Sequence, residues 1–180
     1  MVMSDELKKL TAYHESGHAL VGLYCPASDP IHKATIIPRG RALGMVMRLP
    51  DSDRFSMPRD KMEADIAVAM AGRVAEELIF GRDKVTSGAS SDIKMATRMA
   101  RAMVTDWGLS DAIGPVYHGS SNEDLYTNGR DSGHNSAHTA ELIDVEVRKI
   151  IEKGHDFAKN ILTKHLEQLH LLAKMLIEHE

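Results

Sequence analysis

The stretch Thr11-Ala-Tyr-His-Glu-Ser-Gly-His-Ala-Leu-Val21 places two histidines, His14 and His18, four residues apart in a run with helical periodicity. Residues i and i+4 lie on one face of an α-helix, so the two imidazoles can reach one metal ion. Ser4 before the run and Pro26 after it predict a helix that begins near residue 5 and ends before the proline. The histidines share the apolar stripe of this helix and are therefore predicted to face the protein interior.

Glu15, directly after the first histidine, completes an HExxH sequence, the signature of zinc peptidases. The glutamate of that motif acts as the general base, so Glu15 is the predicted catalytic residue. The longer metzincin form would need glycine at position 21 and histidine at position 24. The chain has Val21 and Tyr24 there, which excludes that subclass. The alternative for a bare HExxH sequence is a pair of hydrogen-bonded core histidines.

A catalytic zinc ion usually has three protein ligands, so the histidine pair needs a third. The candidate carboxylates downstream are Glu63, Asp65, Glu76, Glu77 and Asp92. Asp92 is predicted in the first turn of a helix, after a Gly-Ala-Ser-Ser turn that would hold it firmly. Glu76 and Glu77 lie in a predicted helix with several small residues, which could run close to the histidine helix. Spacing alone does not choose between Asp92 and the two glutamates.

The rest of the pattern predicts a mainly α fold with a small β-hairpin. Alternating residues indicate two short strands, at 33–38 and 43–49. Helical periodicity predicts further helices at about 58–80, 92–107, 137–153 and 156–178. In the second of these, the methionine stripe at 95–103 and Trp107 are predicted to be core. Gly154 is predicted to separate the last two helices.

The chain length of 180 residues fits a single domain, residues 1–180. We expect a zinc-site core at about 4–118, a flexible loop at about 119–136 and a C-terminal helical pair at about 137–180. Cys25 is alone, which excludes a disulfide framework and a cysteine-based zinc site. The formal net charge of −4, without a basic cluster, gives no support to nucleic-acid binding.

Three further sequence features limit the function classes. No apolar run reaches the length of a membrane span, and the N-terminus lacks a signal-peptide pattern, so we expect the chain to be soluble as given. The sequence also lacks the GxxxxGK[ST] phosphate loop, which excludes ATP hydrolysis by that route.

Several motifs, in this order, resemble the peptidase domain of the FtsH family of membrane-anchored, ATP-dependent zinc proteases. They are His14-Glu-Ser-Gly-His-Ala19, the segment 29–44, Ala71-Gly-Arg-Val-Ala-Glu-Glu-Leu-Ile-Phe-Gly81, Thr86-Ser-Gly-Ala-Ser-Ser-Asp92 and Met103-Val-Thr-Asp-Trp-Gly-Leu-Ser-Asp111. The similarity runs from about Leu7 to the C-terminal helices. It implies a helical zinc-peptidase domain with a small β element.

The resemblance also implies roles for individual residues. His14, His18 and Asp92 are expected to bind one Zn²⁺ ion per chain, with Glu15 as the catalytic base. Glu76 or Glu77 is expected to orient a ligand histidine through its second ring nitrogen. A polypeptide substrate is expected to lie extended along one strand of the hairpin. The residues expected to line it are Ala34, Thr35, Ile36, Ile37, Gly44 and Met45.

Full-length FtsH proteins carry transmembrane segments and an AAA+ ATPase module before this domain. The chain is therefore expected to be an excised peptidase domain or a stand-alone relative, with ATP used only through a module that it lacks. The resemblance implies a hexameric parent, with this domain on the cytoplasmic side of a bacterial inner membrane or its organellar equivalent. Unfolded and membrane proteins are the expected substrates. The alternative function is a non-catalytic, zinc-stabilised oligomerisation domain, against which the intact Glu15 argues.

Overall fold

In the computed structural model, which describes residues 3–38, 43–50, 56–119 and 135–179, helix α1 spans Asp5–Tyr24 and carries the histidine pair. The Ser4 hydroxyl caps this helix by accepting a hydrogen bond from the backbone N–H of Leu7 at 3.3 Å. Residues 11–22 are buried, so the histidines face the interior as predicted.

Two antiparallel strands form the small β-hairpin, β1 at Ile31–Thr35 and β2 at Met45–Arg48. Thr35, the last residue of β1, pairs with Met45, the first residue of β2, and we call this the inner end of the hairpin. The outer end is where Ile31 pairs with Arg48. Strand β1 ends earlier than predicted because the Thr35 hydroxyl, rather than a neighbouring strand, accepts the backbone N–H of Ile37 at 3.1 Å. Residues 39–42, between the two predicted strands, lie outside the described residues.

Helix α2 spans Arg59–Phe80, within one residue of its predicted bounds. Pro58 precedes it, and Gly81, at a φ of 83°, ends it in a conformation that favours glycine. Helices α1 and α2 approach closely at Gly17: a Cβ atom there would lie 2.6 Å from the Ala71 carbonyl oxygen and 2.8 Å from the Ala75 Cβ. The absence of a side chain at Gly17 is therefore what lets α2 lie directly beside the histidines.

We expect Gly17→Ala to lower the free energy of unfolding by about 1–3 kcal/mol, since the added methyl group meets backbone that cannot move aside cheaply. Gly22→Ala is the matched control on the same helix. Its Cβ would meet the Ile31 side chain at an ordinary 3.5 Å, so it should be neutral or stabilising by up to about 1 kcal/mol. Denaturant unfolding in the presence of a chelator measures both variants, and equal stabilities would contradict the close approach.

Helix α3 spans Ser90–Thr105, helix α4 spans Ala137–Lys164 and helix α5 spans Leu166–His179. One apolar cluster joins α1, α2, α4 and α5, and a second joins α2, α3 and α4. Helix α2 contributes to both clusters and is thus central to the packing. The prediction of a mainly α fold with a small hairpin is confirmed.

The break between the last two helices lies at His165, and the prediction that Gly154 separates them was wrong. Gly154 lies inside α4, where a Cβ atom would be 2.8 Å from Ile66 and 3.3 Å from the backbone of Ala67. This glycine allows α4 to pack closely on α2 instead of ending a helix. The greater part of the loop predicted at 119–136 lies outside the described residues.

The core prediction for α3 was wrong in part. Ala96, Ala100, Met103 and Val104 form its buried face. Trp107 is 50% exposed and Met95 is 44% exposed. Only one side of α3 has packing partners among the described residues, and the apolar stripe in the sequence is wider than that side. In the described part of the chain, no helix combines the length and apolar character needed to cross a membrane.

Candidate metal centre

Three side chains from two helices converge at the middle of α1. The Nε2 atoms of His14 and His18 are 3.1 Å apart. The Oδ2 atom of Asp92, in the first turn of α3, lies 3.3 Å from Nε2 of His14 and 3.6 Å from Nε2 of His18. These three atoms form the one group with metal-ligand geometry that the described residues contain.

The His14 ring is held by a carboxylate on α2. Its Nδ1 atom donates to Oε1 of Glu76 at 2.8 Å, which leaves Nε2 directed at the centre. Glu76 is completely buried, and its second oxygen accepts the backbone N–H of Thr86 at 2.8 Å and the Thr86 hydroxyl at 3.2 Å. Burial alone would raise the pKa of Glu76, but the hydrogen bonds from His14 and Thr86 lower it, so this carboxylate is ionised.

The His18 ring is held by backbone. Its Nδ1 atom lies 2.6 Å from the carbonyl oxygen of Val68 on α2. A carbonyl can only accept a hydrogen bond, so Nδ1 carries the proton, and Nε2 of the neutral ring presents a lone pair to the centre. When each ring is neutral, its proton is therefore on Nδ1 and Nε2 is free to bind a metal ion, which is the tautomer that a metal site needs.

The donor set fits a zinc ion. When both rings are neutral, two nitrogen lone pairs and a carboxylate oxygen face one another. A cation bound between them would offset their electrostatic repulsion. Ligand atoms about 2.0–2.2 Å from a tetrahedral zinc are roughly 3.3–3.5 Å apart, close to the three separations observed. Gly72 leaves the space open, because a Cβ atom there would lie 2.6 Å from each Nε2.

The electrostatics of the centre also favour positive charge. Burial would lower the pKa of His14, but the carboxylates of Asp92 and Glu76 outweigh it and raise the pKa to about 9. The pKa of Asp92 is lowered, since its contacts with the two histidines outweigh its burial. In the metal-free protein this pocket therefore stabilises a cation, in the form of a proton.

Glu15 lies beside the centre with 6% of its surface exposed. Burial raises the pKa of its carboxyl group, and the two histidines partly oppose that rise. The carboxylate faces the start of β2: a Cβ atom on Gly44 would lie 2.6 Å from Oε1 of Glu15. Glu15 thus stands between the three converging atoms and the hairpin.

The other candidate carboxylates are engaged elsewhere. Glu77 pairs with Arg73 at 3.1 Å and lies 3.4 Å from His155. Glu63 pairs with Lys153 at 2.8 Å, and Asp65 takes part in ion pairs near the base of the hairpin. Among the carboxylates that spacing could not separate, the structure brings Asp92 to both Nε2 atoms and Glu76 to the outer nitrogen of His14.

Known proteins are similar to this chain over its whole length. Residues 1–180 match the family model described as Peptidase family M41. The chain belongs to this peptidase family. It is 80% identical over its whole length to the ATP-dependent zinc metalloprotease FtsH of Rickettsia bellii, of which it covers 28%. It is 52% identical to the protein of the same name from Caulobacter vibrioides and 54% identical to that from Neorickettsia risticii, covering 29% and 27% of them. The predicted family is confirmed, and the chain spans less than a third of these relatives.

The substrate residues expected from the sequence of this M41 chain occupy different positions in the hairpin. Thr35 and Ile36 are buried, whereas Ile37 is exposed. Ala34, Gly44 and Met45 are partly exposed. Because Gly44 adjoins Glu15, the strand that lies next to the candidate centre is β2.

Three features of the centre were not predicted from the sequence: the Val68 carbonyl, the role of Thr86 and the space at Gly72. The Val68 carbonyl carries no sequence signal, because any residue supplies a backbone oxygen. Thr86 was noted only as part of a motif, although it fixes Glu76. Gly72 has no role in the sequence analysis beyond its place in the Ala71–Gly81 motif, although its position four residues before Glu76 puts it on the same face of α2, where it leaves space for an ion.

Proposed function

We propose that the chain is a zinc-dependent endopeptidase domain, the proteolytic module of an FtsH-like ATP-dependent protease. The observation that supports this most directly is the convergence of His14, His18 and Asp92 with Glu15 beside them. We take residues 1–180 as one domain, with a zinc-site core at about 4–118, a connecting segment at about 119–136 and a C-terminal helical pair at about 137–180.

In this proposal His14, His18 and Asp92 hold one Zn²⁺ ion per chain. The ion, when bound, supplies Lewis-acid chemistry that makes water more acidic and polarises the scissile carbonyl group. Glu76 and the Val68 carbonyl keep the two rings in the required tautomer and orientation. Glu77, paired with Arg73, is given no direct role at the metal.

Glu15 acts as the general base in this mechanism. It removes a proton from the water molecule that attacks the peptide carbonyl, and then delivers that proton to the leaving amine. Its burial supports the role, because a carboxylate whose pKa is raised holds a proton better than an exposed one. Gly44 leaves room for the carboxylate beside the hairpin, because a Cβ atom there would lie 2.6 Å from Oε1 of Glu15.

The substrate is proposed to bind as an extended strand along the edge of β2. In the described residues the sheet has two strands, so β2 has an edge without a strand partner. Gly44 and Met45 are closest to Glu15 along this edge, and Ala34 and Ile37 are further candidates for contact. Burial of Thr35 and Ile36 limits any role for them to their backbone. Recognition through backbone groups would accept many sequences, as degradation of unfolded or membrane proteins requires.

The wider protein is inferred from the relatives. Their names include ATP dependence, so we propose that a separate ATPase module of the full-length protein delivers unfolded polypeptides to this domain. The same parent is proposed to be a membrane-anchored homo-hexamer, with this domain on the cytoplasmic side of a bacterial inner membrane or its organellar equivalent.

Cleavage assays with metal analysis test the function. We expect the zinc-loaded chain to cleave short or denatured peptides slowly, to lose that activity with a chelator and to regain it on zinc addition. A folded substrate protein should resist it, since unfolding is assigned to the ATPase. Zinc-dependent folding without any cleavage would instead favour the non-catalytic oligomerisation domain. Rapid degradation of a folded protein by the chain alone would contradict the assignment of unfolding to the ATPase module.

A further inference from the structure

A network of ion pairs with a buried centre joins α2 to the end of the hairpin where β1 begins and β2 ends. Lys61, only 4% exposed, places its Nζ atom 2.6 Å and 2.7 Å from the two oxygens of Asp65 and 3.0 Å from Oδ2 of Asp29. Oδ1 of Asp65 also accepts a hydrogen bond from Nη1 of Arg48 at 2.7 Å. Two cations and two carboxylates are thus paired, with Lys61 and Asp65 buried and Arg48 and Asp29 partly exposed.

Asp65 is the centre of this network, because it alone contacts both cations. Arg48 is the last residue of β2, and Asp29 lies just before β1, so the ion pairs reach both strands at the same end of the hairpin. Arg48 further donates to the Ser28 hydroxyl at 3.1 Å. Removing one partner of a buried ion pair leaves the other charge uncompensated, which is energetically costly. The network therefore holds the hairpin firmly against α2.

The same face of α2 organises the metal centre. Asp65, Val68, Gly72 and Glu76 follow one another at intervals of three or four residues, so they lie along a single stripe of the helix. Val68 and Glu76 hold the histidine rings, and Gly72 leaves room between them. The outer end of β2 is therefore attached to the stripe that positions the ligands.

The hairpin depends on such an attachment for its orientation. A two-stranded sheet is marginally stable by itself, and β2 has only four residues. Its inner end meets Glu15 at Gly44, and its outer end meets Asp65 through Arg48. These two contacts, one at each end of β2, contribute to the direction in which its edge runs past the centre, together with the packing of Ile36 in the core and of Ile31 beside Gly22.

We propose that Asp65 is a positioning residue for the substrate: through Arg48 and Lys61 it holds the edge of β2 at a fixed angle to the metal centre. The inference rests on the proposed peptidase function and assigns to the network a role in substrate binding. Asp65 itself touches neither the substrate nor the three converging side chains.

The test compares Asp65→Asn and Arg48→Gln with Glu63→Gln. The asparagine is nearly isosteric but leaves Lys61 and Arg48 facing the single carboxylate of Asp29. Arg48→Gln removes only the ion pair on the hairpin side of the network. It keeps the test valid if the Asp65 variant does not fold. Glu63→Gln is the matched control, because Glu63 lies on α2 like Asp65 but forms a solvent-exposed ion pair, with Lys153 of α4.

In the two network variants we expect KM for a peptide substrate to rise about tenfold, with kcat changed by less than about threefold and zinc content unchanged. Amide hydrogen exchange at residues 33–35 and 45–47 should become at least about tenfold faster, while exchange at residues 11–21 stays slow. Glu63→Gln should behave like the wild type in each measurement.

The inference is overturned if KM and hairpin exchange are unchanged in both network variants, or if kcat falls together with zinc content. A wild-type chain without zinc-dependent cleavage would disprove the proposed function instead. In that case the exchange measurement still decides whether Asp65 holds the hairpin, since it needs no catalysis.

Discussion

A Glu15→Gln variant is expected to lose peptide cleavage by a factor of roughly 10² to 10⁴, the contribution of a well-placed general base. Glutamine preserves the shape of the side chain beside Gly44 but cannot accept the proton of the attacking water. The fold should be unchanged and the zinc content should equal that of the wild type, because Glu15 is not one of the three residues whose side chains converge at the centre. Metal analysis, circular dichroism and a fluorogenic peptide assay on the same preparation measure all three properties.

The matched control for this prediction is Glu6→Gln, an exposed glutamate in the first turn of the same helix. It should retain full activity. Cleavage by Glu15→Gln that a chelator still abolishes would rule out Glu15 as the base. Residual cleavage that a chelator does not affect would point to a contaminating protease, which a repeat purification would remove.

An Asp92→Ala variant is expected to weaken zinc binding by more than about 100-fold, beyond the effect usual for residues that only orient a ligand. Loss of the Asp92 carboxylate leaves only the two histidine nitrogens at a site that needs three protein ligands. Glu76→Gln should reduce zinc affinity by a smaller factor, about 10- to 100-fold, because the His14 ring keeps a hydrogen-bond acceptor but loses a charged one. Competition with a chromogenic chelator gives both affinities.

Asp83→Ala provides the control, since Asp83 is an exposed carboxylate in the short 3₁₀ turn after α2. It should bind zinc like the wild type. The order of the two effects is decisive: if Glu76→Gln loses more zinc than Asp92→Ala, the ligand assignments must be exchanged. Equal and full occupancy in both variants would exclude the centre altogether.

Much of the framework can be predicted from local signals. The start of α1 follows from the Ser4 cap, and the bounds of α2 follow from Pro58 and Gly81, because these residues act through backbone that is adjacent in sequence. The histidine pair is equally local, since helix geometry alone brings positions 14 and 18 together. Such features need no knowledge of tertiary packing.

The third ligand is a different case. Glu76 and Glu77 are neighbours in sequence but point about 100° apart on the helix, so the sequence does not show which of them faces the histidines until the orientation of α2 is known. Asp92 reaches the histidines only because α3 begins beside α1, which no spacing reveals; its role came from the family resemblance. Gly154 shows the same limit, because a glycine at a close helix contact resembles a glycine at a helix end.

The stripe on α2 has a consequence for how this chain can vary among its relatives. Deleting one residue between Asp65 and Glu76 would turn the two halves of the stripe by about 100° and separate the hairpin attachment from the histidine attachments. A point substitution at a partly exposed position of α2, such as Glu63 or Arg73, would leave both in place. We therefore expect α2 to change more freely in composition than in length, and an insertion or deletion here to be more damaging than most point mutations.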